Sequence, residues 1–564
     1  MWLLALLLFA QDPALDMVEG IKRHLLRLTE NRPASKPDRE RLRRILGVVD
    51  PRPDFDPRDF VGGPGPTSPS CHLIALSQPP STPCDVLSIP LLTQETTYSA
   101  NPRINKRNNV AHREFVYRAA FPVGRHILGY EIQKVLTAVD RFAAQDNLPV
   151  IVTGAGDGRL VALYAAALDP RITEVRLTSL EDRSRLWQEP IDHNVFGLLN
   201  GFNDEQVAEL IRPRKLVIES LQPAASPGAD QARLMGELLD FNDKIVARSE
   251  EVRARRFETE GAKLKDVLWN DVLGRLPEDG TPAKVALSGS YRGDGWTGQD
   301  VRIEIRRDIF AYGVLLLPAD LKPGERRPTV VVQHGLNGRP QHLFLQPEGT
   351  REREVYRNFA ETLVRAGYVV YAPQNPYIHD FRPIVRIANP LGLSLYSVIM
   401  AQYERMLDWL VSLPYVDADR IGYYGLSYGG KTALRGGALF DRFKVVVCGG
   451  DFNEWIRKLT SPDTTYSYLW TPEYEMVEWN LAHVASHAEM AMLMAPRGFM
   501  VERGHRDAVG VDEWVSYEYA KVRRYYDEHG WRDRTAIAFF NGPHRVDGPD
   551  AVAFLNRFLQ APIR

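Results

Sequence analysis

A serine framed by glycines, Gly425-Leu426-Ser427-Tyr428-Gly429-Gly430, follows the β-branched and aromatic run Arg420-Ile421-Gly422-Tyr423-Tyr424 and precedes Lys431-Thr432-Ala433-Leu434, which can start a helix. This spacing suits a nucleophile at the tip of a tight strand-to-helix turn. A side chain at Gly425 or Gly429 would collide with neighbouring backbone, so the glycines expose the Ser427 hydroxyl. The N–H of Tyr428, in the first turn of the helix, then points at a developing oxyanion with the positive end of the helix dipole behind it.

A serine hydroxyl attacks only when a base takes its proton. Thr535-Ala536-Ile537-Ala538-Phe539-Phe540 reads as the last strand, and His544 lies in its exit loop, Asn541-Gly542-Pro543-His544, ahead of a terminal helix from Ala551 to Leu559. Asp507, in Gly504-His505-Arg506-Asp507 after the strand that begins at Gly498, is the candidate acid that orients the imidazole. Glu502 and Asp451 also follow strands and stand in reserve. The order Ser427, Asp507, His544 is the one that a strand–turn–helix nucleophile requires. His334-Gly335 closes the apolar run Thr329-Val330-Val331-Val332-Gln333, and the flexible Gly335 lets the N–H of Leu336 or Asn337 face Ser427 as a second oxyanion donor, Leu336 being preferred. His334 reads as a turn-stabilising side chain and His505 as a supporting one.

The elements that must hold these residues alternate between strand and helix from about 277 onward. Lys284–Leu287, Val301–Ile305 and Tyr312–Pro318 suggest an antiparallel start, because the middle run alternates polar and apolar. Thr329–Gln333, Tyr368–Tyr371, Ile421–Tyr424 and Lys444–Cys448 are separated by helices over Phe359–Ala366 and Leu395–Leu413, which implies a mostly parallel sheet with right-handed crossovers. Residues of about 451–495 interrupt the alternation with Trp455, Tyr466, Tyr468, Trp470, Tyr474 and Trp479. Such an insert either caps the site, offering aromatic faces to a sugar or aryl group, or packs on itself.

A weaker version of the same pattern occurs earlier. The amphipathic stretch Ile132–Phe142 leads into the strand Pro149–Thr153, then Gly154-Ala155-Gly156-Asp157-Gly158, the helix Leu160–Ala167, and the strands Glu174–Leu177 and Lys215–Ile218. Helix, strand, elbow, helix and strand recur in order, so one supersecondary unit is carried twice. The nucleophile position of the first copy is Gly156, which has nothing to attack with, so a framing role is expected of it. Before it, Leu15, Val18, Ile21, Leu25 and Leu28 recur at helical spacing, and a Gly/Pro/Ser-rich loop is expected from Pro64 to Pro83, followed by a strand at Val86–Ile89. Between the copies, Leu234 to Leu273 is a charged helical segment.

The 564 residues are too many for one core. Against 72 Asp+Glu stand 70 Lys+Arg, a formal charge of −2, which gives no basic footprint for nucleic acid or an anionic membrane. The apolar Met1–Ala10 resembles the core of a secretion signal, which places the mature chain outside the cytoplasm, secreted or periplasmic. Of three cysteines, Cys71 and Cys84 flank the Pro/Ser-rich loop and can pair in an oxidising compartment, while Cys448 reads as a buried thiol. No Cys/His cluster suggests a zinc site, and the chemistry needs neither metal nor organic cofactor.

Taken together, His334-Gly335, Gly425-Leu426-Ser427-Tyr428-Gly429-Gly430, Gly504-His505-Arg506-Asp507 and His544 resemble the α/β-hydrolase superfamily. The likeness is to the branch that holds dienelactone hydrolases and acetyl xylan esterase-like enzymes. It covers about 280–564 well and about 110–220 loosely, with Gly156 departing from the pattern. The fold class it implies is α/β: tandem α/β-hydrolase-like three-layer sandwiches, with 14–230 degenerate and partial, 231–276 a helical linker, and 277–564 complete and catalytic. The activity implied is hydrolysis of ester decorations on plant polysaccharides. Gly-x-Ser-Tyr-Gly-Gly is shared with prolyl oligopeptidase-like serine peptidases, whose β-propeller repeats are absent here. A peptidase and a non-catalytic carbohydrate-binding protein are the alternatives.

Overall fold

Val330, Val331 and Val332 lie on the strand Arg327–Gln333, which is buried along its whole length in the computed structural model. The described residues are 12–30, 36–63, 66–95, 99–181, 183–224 and 228–560. Met1–Ala10, read above as a secretion signal, falls outside them. A β-branched run that is apolar on both faces fits the middle of a parallel sheet covered on both sides. Its neighbours, Val369–Pro373 and Val416–Leu426, are indeed parallel to it. Phe443–Gly449, Gly498–Gly504 and Thr535–Phe540 continue the sheet in parallel beyond Val416–Leu426. On the other edge Ile309–Pro318, Trp296–Arg306 and Val285–Gly293 are antiparallel, as the alternation in 301–305 leads one to expect. Nine strands form this sheet.

The two faces are divided residue by residue. Val330, Val332, Tyr424, Leu426, Val445 and Val447 pack under the helices Phe359–Arg365 and Pro549–Leu559. Val331, Tyr423, Val446 and Cys448 face the opposite way, toward Leu395–Ser412 and Tyr428–Leu439. The period of two that strand geometry imposes thus builds a helix–sheet–helix sandwich. All the parallel strands end on one edge, where Ser427 and the loops carrying Asp507 and His544 emerge. Ligands of open α/β sheets bind at that edge.

A second sheet holds Asp85–Ser88, His72–Leu76, Val150–Gly154, Ile172–Leu177 and Lys215–Ile218 side by side and parallel, with the short antiparallel strand Val61–Gly62 at one end. Its strand His72–Leu76 corrects the expectation of a continuous loop from Pro64 to Pro83. The five residues are fully buried, and the prolines and serines on both flanks hide them in the sequence. Cys71 and Cys84 are joined in a disulfide, and Cys448 is a free buried thiol.

The halves are not separate bodies. Helix Pro13–Glu30, although it precedes the second sheet in the chain, packs on Ile309–Pro318 and on helix Arg382–Ala388 of the nine-stranded part. At Gly20 the approach is so close that a Cβ would stand 2.1 Å from the Asp308 carbonyl oxygen. A single apolar core, running from Leu25 through Val135 and Val175 to Ile399 and Val446, joins both parts. The helix Gly228–Glu260 buries Leu234, Leu238 and Leu239 against Phe115 and Val116 of helix His112–Ala120. No single described helix is long and apolar enough to cross a membrane.

Candidate functional site

Strand Val416–Leu426 ends in Ser427, whose φ of 60° and ψ of −121° belong to a conformation that non-glycine residues rarely adopt. Helix Tyr428–Leu439 starts at the next residue. The glycines are required by sterics. A Cβ on Gly425 would lie 2.3 Å from the Gly429 carbonyl oxygen, and one on Gly429 would lie 2.4 Å from the Gln333 carbonyl oxygen. Both obstacles are backbone and cannot swing away. Gly429→Ala is therefore expected to push the helix off the central strand, lowering stability by about 1–3 kcal/mol and kcat by about 100-fold. Thermal unfolding and substrate turnover, measured on the same preparation, check both.

His544 lies beside this turn. Its ring stands against Gly450, where a Cβ would come within 2.8 Å of Cε1. The preceding residue, Gly449, accepts the Ser427 N–H at 2.8 Å. Ser427 and His544 line one cavity of about 360 Å³ with Leu336, Tyr428, Lys431, Asp451, Lys458, Tyr466, Tyr468 and Glu473. His544 Nδ1 donates to Asp507 Oδ2 at 2.8 Å, which leaves Nε2 as the acceptor nitrogen of the neutral ring.

Asp507 is held from several sides. Burial works against its charge, but the hydrogen bond and charge of His544, the Val509 N–H at 2.9 Å and the Arg503 guanidinium at 3.3 Å keep the carboxyl below its ordinary value. Arg503, itself buried, also donates to the Asp507 carbonyl at 3.0 Å and the Gly510 carbonyl at 2.7 Å, and so braces the whole loop. A carboxyl whose native value lies below its unfolded one binds fewer protons when folded. Its stabilising contribution is complete above the unfolded value and is lost as pH falls through the native one. Asp507→Asn should accordingly make stability less steeply dependent on pH below about 4 while cutting kcat by about 10⁴. Urea titrations between pH 3 and 7, with turnover at neutral pH, read the two effects.

The reserve acids have other partners. Glu502 accepts from the Tyr424 hydroxyl at 2.6 Å and from the N–H groups of Asp547 and Gly548 at 3.1 and 3.0 Å, which pins the chain just after His544. Asp451 lines the Ser427 cavity and lies 3.8 Å from His487, and burial pushes its carboxyl up. His334 is buried, its Nδ1 donates to the Gly335 carbonyl at 2.8 Å, and burial lowers it to about 3. His505 is exposed and pairs with Asp512. Of the two candidate second donors, Asn337 gives its N–H to the Tyr377 carbonyl at 3.1 Å, whereas Leu336 lines the cavity with Ser427.

Residues that the sequence reading passed over complete the wall. Lys431, one turn into the helix that follows Ser427, is buried, and burial, opposed by Glu478, brings its ammonium down to about 8. Lys458 behaves in the same way, also near 8, and donates to the Val509 carbonyl at 2.6 Å. The insert's aromatics divide between the two roles expected of them. Tyr466 and Tyr468 face the cavity. Trp455 stacks on His487, Trp470 packs on Phe115, and Trp479 stacks on Phe196 at 5.5 Å, so these three serve packing, two of them against the first half.

Residues 396–521 match the model of the prolyl oligopeptidase family. Dipeptidyl peptidase 8 from Mus musculus is 29% identical over 205 residues, which are 34% of this chain and 21% of that protein; the chain thus matches about a fifth of the length of that curated relative. Among solved structures, a glucuronoyl esterase from Solibacter usitatus is similar over 55% of this chain and 94% of its own, at 17% identity and a TM-score of 0.43. A candidate acetyl xylan esterase from Bacteroides fragilis is similar over 57% and 84%, at 15% identity and a TM-score of 0.40. With strand order 369–373, 327–333, 416–426, 443–449, 498–504, 535–540, an elbow at Ser427 and that family match across it, the chain has the α/β-hydrolase fold.

Proposed function

We propose that this hydrolase is a serine esterase that removes ester decorations from plant polysaccharides. The observation that carries the reading is the His544–Asp507 hydrogen bond placed beside the strained Ser427 turn in one shared cavity. In the proposed cycle Ser427 Oγ attacks the ester carbonyl carbon while His544 Nε2 takes its proton. The N–H groups of Tyr428 and Leu336 hold the oxyanion. The carbonyl–alkoxide bond breaks, the imidazolium gives its proton to the departing alcohol, and Asp507 stabilises the cation throughout. Water, deprotonated by the same imidazole, then releases the acid and restores Ser427. A cavity of about 360 Å³ is at the small end for ligand sites, which favours a short acyl group such as acetyl.

A second reading has its own support. The family match and the peptidase relative favour a serine peptidase working through the same triad. One panel separates the two: acetylated, feruloylated and methyl-esterified polysaccharides, p-nitrophenyl acetate and short peptide amides, offered to one preparation. Preference for an ester supports the proposal, and preference for the amides replaces it with the peptidase.

We read the second, six-stranded sheet as a non-catalytic copy of the hydrolase core. Its strand order matches five strands of the larger sheet, 85–88, 72–76, 150–154, 172–177, 215–218 against 369–373, 327–333, 416–426, 443–449, 498–504. Gly156 has a φ of 56°, beside 60° at Ser427. A Cβ on Gly154 would lie 2.4 Å from the Gly158 carbonyl oxygen, and one on Gly158 would lie 2.4 Å from that of Leu76, the same two clashes as at Gly425 and Gly429. Secretion of the mature chain remains part of the proposal, resting on Met1–Ala10.

A further inference from the structure

His544 stands between two cavities. One holds Ser427. The other, of about 1060 Å³, opens between the His544 loop and the helices Arg351–Tyr356 and Phe359–Arg365. Four guanidinium groups line it. Arg353 is tied to Glu348 at 2.7 Å and Arg357 to Asp547 at 3.2 Å. Arg506 and Arg545 have no carboxylate partner among the described residues: Arg506 makes only a 3.4 Å contact with the Asn541 carbonyl, and Arg545 lies 5.9 Å from the Phe540 ring. Arg545 Nε is buried and has no acceptor. The remaining carboxylate on the wall, Glu354, is exposed.

A buried guanidinium N–H without an acceptor is costly, so this arrangement suits an acceptor that comes from outside the chain. The planar fork of arginine matches a carboxylate. Position says which part of a substrate that would be. His544 returns the proton to the leaving alkoxide, so the alcohol half of the ester must touch the imidazole and can extend to its far side. Building on the esterase reading, we propose that Arg506 and Arg545 form a subsite for a carboxylate on the alcohol half of the ester, and that the substrate is an esterified acidic glycan containing uronic acid units.

The test compares acetylated oligogalacturonate with acetylated xylo-oligosaccharide in wild type and in Arg506→Gln/Arg545→Gln. The ratio of kcat/KM, acidic over neutral, should exceed about 10 in wild type and fall by about 10-fold or more in the double variant and in 0.5 M salt. Arg506→Gln alone, at an exposed position, should move the ratio the same way by a smaller factor. A wild-type ratio near 1, or a ratio that the double variant leaves unchanged, overturns the subsite. Calorimetric titration of Ser427→Ala protein with oligogalacturonate reads the subsite without turnover. Binding that disappears when both arginines are replaced supports it even if no ester is cleaved, which would remove only the esterase reading. No binding to the Ser427→Ala protein removes the subsite.

Discussion

Ser427→Ala should lower kcat by about 10⁴ to 10⁶ and leave the fold unchanged. The size of the effect follows from what the hydroxyl does in the proposed cycle. Without it no acyl-enzyme forms, and what remains is rate enhancement from the oxyanion donors and substrate binding alone. The stability side of the expectation is equally specific. The unusual φ of 60° belongs to the backbone and not to the hydroxyl, so alanine inherits the strain and the unfolding midpoint stays near that of wild type. Ser427→Gly removes the strain as well as the nucleophile and should gain about 1–2 kcal/mol while being just as inactive. Turnover of the preferred ester, burst kinetics for the acyl-enzyme and urea unfolding of the three proteins measure this. Retention of activity in Ser427→Ala would sink the nucleophile assignment and hand the chemistry to another group in the cavity, such as Asp451.

The elbow could be recognised in the sequence because its chemistry leaves few choices. The backbone collisions at Gly425 and Gly429 force glycine at fixed offsets, and the flanking strand and helix are strongly periodic. The same sterics made Gly154 and Gly158 readable in the first half even though the nucleophile is absent. The nine-stranded sheet was legible for a related reason. Runs such as Val330–Val332 are buried on both faces and carry no polar residue to confuse the period. His72–Leu76 was hidden because Pro/Ser-rich flanks weigh more in a local reading than five apolar residues do, whereas its burial depends on parallel neighbours at Val150–Gly154 and Asp85–Ser88. The insert shows the other limit. Trp470 and Trp479 are aromatic whether they meet a sugar or a protein, and the partners that decide, Phe115 and Phe196, lie some hundreds of residues earlier in the chain. Lys431 and Lys458 have a part in the cavity only through their burial beside Ser427. Long-range pairing decides these cases, and local pattern does not encode it.

Glu478→Ala should be the most destabilising single change in the neighbourhood of the site, at about 3–5 kcal/mol. Arg435 lies on the nucleophile helix and Glu478 on the insert, and their side chains, 0% and 2% exposed, form a two-pronged bond at 2.9 and 2.6 Å. Lys431, one turn nearer Ser427 on the same helix, approaches Glu478 at 3.6 Å. One carboxylate therefore compensates two buried cations, and those cations in turn hold it below the ordinary carboxylate range against the pull of burial. Its removal leaves a guanidinium that cannot shed its proton and an ammonium, already near 8, that can. The arginine is the larger penalty. Because the bond ties the insert to the helix that carries Ser427, the loss should also appear in kcat, by about 10–100-fold as the nucleophile drifts from its position. Replacing both partners by methionine tests the cause. If the penalty comes from an orphaned charge, Arg435→Met/Glu478→Met should recover most of the stability lost in Glu478→Ala, since apolar groups of similar volume pay no desolvation cost. If instead the double variant is as unstable as the single one, the bond's geometry and not its charge is what fastens the insert over the site.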